Sequence, residues 1–218
     1  SLIYVDTNLI TGDDYSYNNG DTAWVLVSTA LVLIMTPGLA FFYGGMVQKK
    51  NVISTMLQSF VSMAVITVLW IFIGFSLAFG DSFQGVIGDP RSYFLFQNVI
   101  NHAPIELAPT IPFLLFALFQ LKFAIITPAL ITGAFAERIK FTSYLLFLVL
   151  FSIFIYSPLA HATWHPDGIL ARAGVLDFAG GTVVHMSAGI AALAGAIFLK
   201  RRTKEKNQPA RITYVMLG

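Results

Sequence analysis

The sequence contains no cysteine, which excludes disulfide bonds and thiolate metal sites but leaves the redox compartment open. Charge is also scarce: charged residues make up 11% of the 218 residues and hydrophobic residues 56%. A soluble domain carries about 25% charged residues. Together with a mean hydropathy of +0.75, this composition excludes an ordinary soluble domain and predicts a polytopic membrane protein.

The sequence motifs of common enzyme sites are missing as well. We find no glycine-rich nucleotide loop, no nucleophile elbow and no pair of catalytic carboxylates. We therefore expect neither an enzyme nor a nucleic-acid-binding protein, and no cofactor. Segment 1–21 has four aspartates and no lysine or arginine, the reverse of a signal peptide's positive start. We interpret it as a mature start or an uncleaved tail.

What the sequence does contain is a set of long apolar runs, and each is long enough to cross a bilayer as a helix. There are five, near 22–47, 52–79, 111–136, 141–160 and 181–199. A sixth begins at about Ile212 and stops at Gly218, which is too short to cross. We therefore predict an all-α fold with five transmembrane helices and the start of a sixth.

Basic residues lie mostly on one side of these runs. Of the 13 lysines and arginines, only Arg91 and Arg172 fall in the loops on the other side, 80–110 and 161–180, while Lys122 lies inside the third run. The positive-inside rule then places the N-terminal segment 1–21 outside the cytoplasm. We expect the protein in the plasma membrane.

His185 is an ionisable side chain inside the fifth run, which rises about 28 Å as a helix. Burying such a group in a membrane is costly unless it faces a bundle interior or a water-filled path. A neutral imidazole can pass a proton or hold a small polar solute. The alternative is that His185 makes an ordinary hydrogen bond between helices.

Asp177 precedes the fifth run by a few residues, where its carboxylate can cap exposed N–H groups of the helix. Within the run, small residues recur every four positions, which lets neighbouring helices approach closely. They are Ser187, Ala191 and Gly195, and Ala188, Ala192 and Ala196.

The third run carries an aromatic stripe, Phe116, Phe119 and Phe123, beside Gln120. The stripe is typical of packing, and its functional alternative is a hydrophobic gate or a π face for a cation. Lys122 we interpret as structural, extending to the interface or pairing with a carboxylate such as Asp177 or Glu106.

The loop before the fifth run reads HATWH at 161–165. With His185, the two histidines would make three zinc ligands, but no acidic residue or cysteine completes a closed site. We expect no metal. Trp164 is either an interfacial anchor or a cation–π face.

Three segments carry a resemblance to the ammonium transporter family, more closely to the Amt/Mep branch than to the Rhesus branch. They are PGLAFFYGGMVQKKN (37–51), FQLKFAIITPALITGAFAERIKF (119–141) and DFAGG through to the basic residues (177–202). The resemblance covers almost the whole chain after residue 21. It implies an eleven-helix fold of two inverted repeats, with one pore per subunit of a homotrimer, and 22–218 is similar to the N-terminal half of that domain, its first repeat.

The resemblance also implies roles for individual residues. Trp164 and Phe123 match the aromatic wall of an outer ammonium site, and Phe123 also matches half of a phenylalanine gate. His185 matches the first of two pore histidines. Asp177 matches the acid that supports the outer site without direct contact. Phe119 and Gln120 are expected wall residues.

In this family, the second half of the protein supplies the other pore histidine, the second gate phenylalanine and a hydroxyl at the outer site. None of these three groups can be placed in this sequence. We expect ammonium or ammonia conduction, with methylammonium as a possible analogue and a cytoplasmic nitrogen-signalling protein as a possible regulator. The alternatives are an ammonium sensor with a cytoplasmic signalling domain, and a structural half-protein without a pore of its own.

Overall fold

Five helical spans dominate the computed structural model, which describes residues 17–100, 102–200 and 209–218. Each is long and apolar enough to cross a membrane: Asn19–Met46, Lys49–Phe79, Phe113–Phe135, Phe141–Arg172 and Gly181–Leu199, here spans 1 to 5. Apolar runs of this kind form helices because lipid offers no hydrogen bond to a free backbone group. The predicted five transmembrane helices are confirmed.

The regular helices within the spans are α1 (Asn19–Met46), α2 (Val52–Leu69), α3 (Phe75–Phe79), α4 (Phe113–Phe135), α5 (Phe141–Phe151), α6 (Ser157–Trp164), α7 (Ile169–Arg172) and α8 (Ser187–Leu199). The sixth run begins as α9, Ile212–Leu217. Span 4 extends beyond the predicted end at residue 160. His161 and Trp164 therefore lie on a helix, and not in the loop where we expected them.

In the part of the chain that the structure describes, π-helical turns interrupt span 2 at Trp70–Gly74 and span 4 at Ser152–Tyr156, and a third begins span 5 at Gly181–Met186. A π turn holds one residue more than an α turn, and such turns occur frequently at functional sites. The third contains His185. No pattern in the sequence predicted these turns.

Span 3 is the most enclosed of the five, because 61% of the residues in its apolar 18-residue segment are buried. Glycines bring its neighbours close. A Cβ added at Gly195 of span 5 would collide with the ring of Phe135, and one added at Gly133 would collide with the ring of Tyr43. The prediction that small residues in the fifth run allow close helix contact is thus confirmed at Gly195.

The ends of the spans group into a basic end and an acidic end. At the basic end, the Glu137 carboxylate accepts hydrogen bonds from Gln48 N at 2.8 Å and Asn51 Nδ2 at 3.0 Å. The Arg138 guanidinium donates to the carbonyls of Ala134 and Lys200. These two neighbouring side chains therefore join the α1–α2 connection, the end of α4 and the end of α8.

The acidic end is formed by the loops that follow spans 2 and 4. A short antiparallel hairpin, with two residues in each strand, pairs β1 (Ser82–Phe83) with β2 (Ile87–Gly88). Beyond it, the Arg91 guanidinium donates to Asp89 at 2.8 Å and lowers the pKa of that carboxyl to about 2. The resulting stabilisation is present above the ordinary carboxyl pKa of 3.8 and is lost as the pH falls towards 2.

Candidate functional site: an aromatic cavity and an exposed histidine

A cavity of about 630 Å³ opens at the acidic end of the bundle, between span 3, the end of α6 and the loop before span 5. Its walls are largely aromatic and aliphatic, with a few polar groups, as is typical of small-ligand sites. Five of the six predicted site residues line it: Phe119, Gln120, Phe123, Trp164 and Asp177. His185 is not in the lining.

The rings of the cavity are arranged edge to face. Phe119 and Phe123 are 5.0 Å apart at 84°, and Phe123 and Trp164 are 6.5 Å apart at 68°. Phe116 meets Phe79, at the end of span 2, at 5.0 Å and 81°. Because edge-to-face pairs leave ring faces free, a cation in the cavity has π faces within reach.

Trp164 lies on α6, and this helix is anchored by His161, one turn before Trp164. His161 is fully buried. Its Nδ1 lies 3.0 Å from the carbonyl oxygen of Ala78 and therefore donates, and its Nε2 accepts from the Ser82 hydroxyl at 2.8 Å. Its ring stacks on His165 at 4.4 Å. Both nitrogens of His161 are thus engaged, and among the described residues no cluster of three potential metal ligands is found.

Asp177 begins span 5 by satisfying four backbone donors. Oδ1 accepts from Gly180 N at 2.7 Å and Gly181 N at 2.9 Å, while Oδ2 accepts from Thr182 N at 2.8 Å and Val183 N at 3.1 Å. The first turn of a helix leaves its N–H groups without intrahelical partners, so the predicted cap is confirmed. The turn needs Gly180 at φ 80°, where a Cβ would collide with Val184.

His185 lies on the exposed side of span 5, in the π turn that follows the Asp177 cap. Its ring makes no hydrogen bond to any part of the chain that the structure describes. Met186, Ile190, Leu193 and Ile197 are exposed on the same helix. Within the described residues, His185 therefore makes no hydrogen bond to a neighbouring helix.

Two polar side chains of span 3 differ in what they contact. Gln120 lines the cavity, and its Oε1 is buried without a hydrogen-bond partner. Lys122 does not line the cavity and is half-buried. Within residues 17–100, 102–200 and 209–218, no carboxylate lies at ion-pair distance from it, so the pairing with Asp177 or Glu106 is absent there.

Sequence reasoning missed several lining residues. They are Phe79, Leu107, Thr163, Val175, Leu176, Phe178, Ala179 and Gly180. One signal was available for Phe79, an aromatic residue beside Gly80 at the end of the second run. The loop residues gave no such signal, because a loop path depends on packing between distant segments.

Comparison with known proteins identifies relatives along nearly the whole chain. The Ammonium Transporter Family profile matches residues 23–218. The ammonium transporter of Aquifex aeolicus is 48% identical over 218 residues, covering 100% of this chain and 51% of its own length. That of Mycobacterium tuberculosis is 46% identical, covering 92% of this chain and 47% of its own.

Solved structures agree. Mep2 of Saccharomyces cerevisiae matches with a TM-score of 0.83 and 34% identity, covering 93% of this chain and 46% of that protein. A sensor Amt protein matches with a TM-score of 0.78 and 28% identity. The chain thus spans about half the length of the relatives it matches. With a family profile along residues 23–218, and five helices able to span a membrane in an arrangement similar to that of Mep2, the chain belongs to the ammonium transporter family.

Proposed function

We propose that this chain forms part of a path for ammonium or ammonia across the membrane, with the aromatic cavity as its recruitment site. The observation that carries the proposal is the meeting of Phe119, Phe123 and Trp164, from two different spans, around one cavity. The relatives named as ammonium transporters supply the substrate class.

The cavity suits a small cation that is losing its water. An aromatic face attracts a cation by about 0.5–2 kcal/mol, with the larger value when both are desolvated. Further into the membrane a bare cation costs at least ~2.5–3.5 kcal/mol, which a neutral ammonia molecule largely avoids. A proton therefore has to leave the cation near the end of the cavity.

His185 is the group we assign to that proton transfer. It lies one turn beyond the cap at Asp177, and its ring is free of hydrogen bonds within the described residues. A neutral imidazole can accept a proton on one nitrogen while donating from the other. Phe123, beside Phe119, forms the chain's part of the gate between the cavity and His185.

The assembly is part of the proposal. The relatives are about twice as long as this chain. The second pore histidine, the second gate phenylalanine and a hydroxyl at the outer site would come from a second half like that of the relatives. We propose a homotrimer in the plasma membrane, with the N-terminus outside. A cytoplasmic nitrogen-signalling regulator would dock at the basic end. The relatives' names favour transport over the sensing alternative.

The test replaces Trp164 and His185 in the full-length transporter and measures methylammonium uptake into vesicles. Trp164→Leu should raise the half-saturating concentration about 2- to 30-fold, the loss of one cation–π contact. His185→Ala should reduce uptake or change its selectivity. Trp24→Leu is the control, since Trp24 is 73% exposed on span 1. Uptake and selectivity that stay unchanged in both site variants would contradict the proposal.

A further inference from the structure

Thr163, immediately before Trp164, has a hydroxyl that lacks a hydrogen-bond partner. The residue is 4% exposed and lines the aromatic cavity, and its Oγ1 is buried without a partner among the described residues. Several threonines in other spans solve this problem locally, although the buried hydroxyls of Thr22 and Thr36 on span 1, away from the cavity, also lack a partner among the described residues. Thr29, Thr67 and Thr127 each donate to the carbonyl four residues earlier, at 2.7, 2.6 and 2.6 Å. Thr163 does not.

A second free acceptor lies on another wall of the same cavity. Gln120 Oε1, on span 3, is also buried and unpartnered. The carboxylate of Asp177 is different, since each of its oxygens already accepts two backbone N–H groups. Among the described residues lining the cavity, Thr163 and Gln120 are therefore the side chains with an unused buried oxygen.

Such oxygens are costly in a buried, apolar setting, and the cost disappears when a donor arrives. The aromatic walls attract any small cation through its charge, so they do not by themselves distinguish ammonium from an alkali metal ion. Ammonium has four N–H donors, whereas caesium and potassium have none. Hydrogen-bond acceptors at the wall would therefore favour the cation that carries N–H groups.

We propose that the Thr163 hydroxyl, together with the Gln120 amide oxygen, is a specificity-determining acceptor of the aromatic cavity. It selects small cations with N–H groups over alkali metal ions of similar size. This inference rests on the proposed function of the cavity. Thr163 binds the substrate's N–H, while the neighbouring Trp164 supplies the π face. The same short stretch of α6 thus provides attraction and discrimination.

The test compares ammonium with caesium as competitors of methylammonium uptake by the full-length transporter. Thr163→Val removes the hydroxyl at nearly constant shape and should weaken ammonium competition about tenfold, the loss of a hydrogen bond to a charged donor. Competition by caesium should change less than about twofold, because caesium donates no hydrogen bond. Thr163→Ser should keep the preference for ammonium.

Two further variants make the outcome decisive. Thr67→Val removes a hydroxyl that is satisfied within its own helix and should change neither ion. Trp164→Leu should weaken both ions, and if it weakens neither, the proposed function fails independently of Thr163. An unchanged ammonium preference in Thr163→Val, or an equal loss for both ions, would overturn the inference. If Thr163→Val does not fold, the same competition measurements compare Thr163→Ala with Thr163→Ser.

Discussion

Asp177 shows how one side chain starts a membrane helix. The first N–H groups of a helix have no intrahelical partner, and in lipid they find no water. Asp177 accepts from four consecutive residues, Gly180 to Val183. Its negative charge also complements the positive end of the helix dipole. The π turn that carries His185 therefore begins on a fixed support.

Replacing Asp177 should loosen that support. Asp177→Ala is expected to destabilise the start of span 5 by about 1–3 kcal/mol, and Asp177→Asn by less, since the amide keeps one accepting oxygen. The measurement is hydrogen exchange of the 180–183 amides in the purified protein. Asp89→Asn is the control, because the exposed Asp89–Arg91 pair lies outside the spans. Exchange at 180–183 that matches the unsubstituted protein would disprove the capping role.

For individual residues, contacts within a short stretch of chain could be predicted from the sequence, whereas contacts between distant segments could not. The Asp177 cap was predictable because its partners lie within six residues. That Phe123 and Trp164 share a cavity was implied only by the resemblance, since they lie on different spans. The buried pairing of His161 with Ala78 and Ser82 was not foreseen. It depends on α6 packing against the end of span 2 and the hairpin that follows it, which no local pattern encodes.

The elements pack through glycines as well as through large side chains. Span 5 approaches span 3 at Gly195, beside the ring of Phe135. Gly189 lies on the same helix, and a Cβ added there would meet no atom of another described element within 4 Å. The two positions separate the cost of a methyl group at a helix contact from its effect on the helix itself.

Gly195→Ala should therefore destabilise the protein by about 1–3 kcal/mol, the range for overpacking a close contact. Gly189→Ala should be neutral or slightly stabilising, because alanine favours helix over glycine by up to ~1 kcal/mol. Thermal unfolding in detergent measures both. Equal melting temperatures for the two variants would show that the close contact at Gly195 does not limit the packing.

Hydropathy predicted the spans, but not their internal irregularities. Apolar runs specify a helix because every backbone group must be satisfied inside it. A π turn satisfies the same groups with a slightly different pairing, so its composition resembles that of the surrounding α-helix. The turns at Trp70–Gly74 and Ser152–Tyr156 are accordingly invisible in the sequence pattern.

The whole molecule is polarised between its basic and acidic ends. Lys49, Arg138 and Lys200 lie at one end, and Asp89, Asp167 and Asp177 at the other. The positive-inside rule predicts that the basic end faces the cytoplasm. In that orientation the aromatic cavity would open to the outside, as its proposed role as a recruitment site for an external cation requires.

Chemical labelling tests this orientation directly, because the chain has no cysteine of its own. Cysteines introduced singly at two exposed positions report the two ends, Ala173→Cys at the acidic end and Lys140→Cys at the basic end. In intact cells, a membrane-impermeant maleimide should label Ala173→Cys and leave Lys140→Cys unlabelled until the membrane is opened. The opposite pattern would reverse the predicted topology.

Each π turn lets its span hold one more residue without changing the direction in which the following residues point. Phe79 follows the turn in span 2, Trp164 follows the turn in span 4, and His185 lies in the third. Each residue of a helix advances it by about 100°. A π turn holds one extra residue within a single turn, so deleting that residue would restore a plain α-helix and keep everything beyond it at nearly the same rotation. A one-residue deletion inside the π turn of span 2 or span 4 would thus shorten the span while leaving Phe79 or Trp164 facing the cavity.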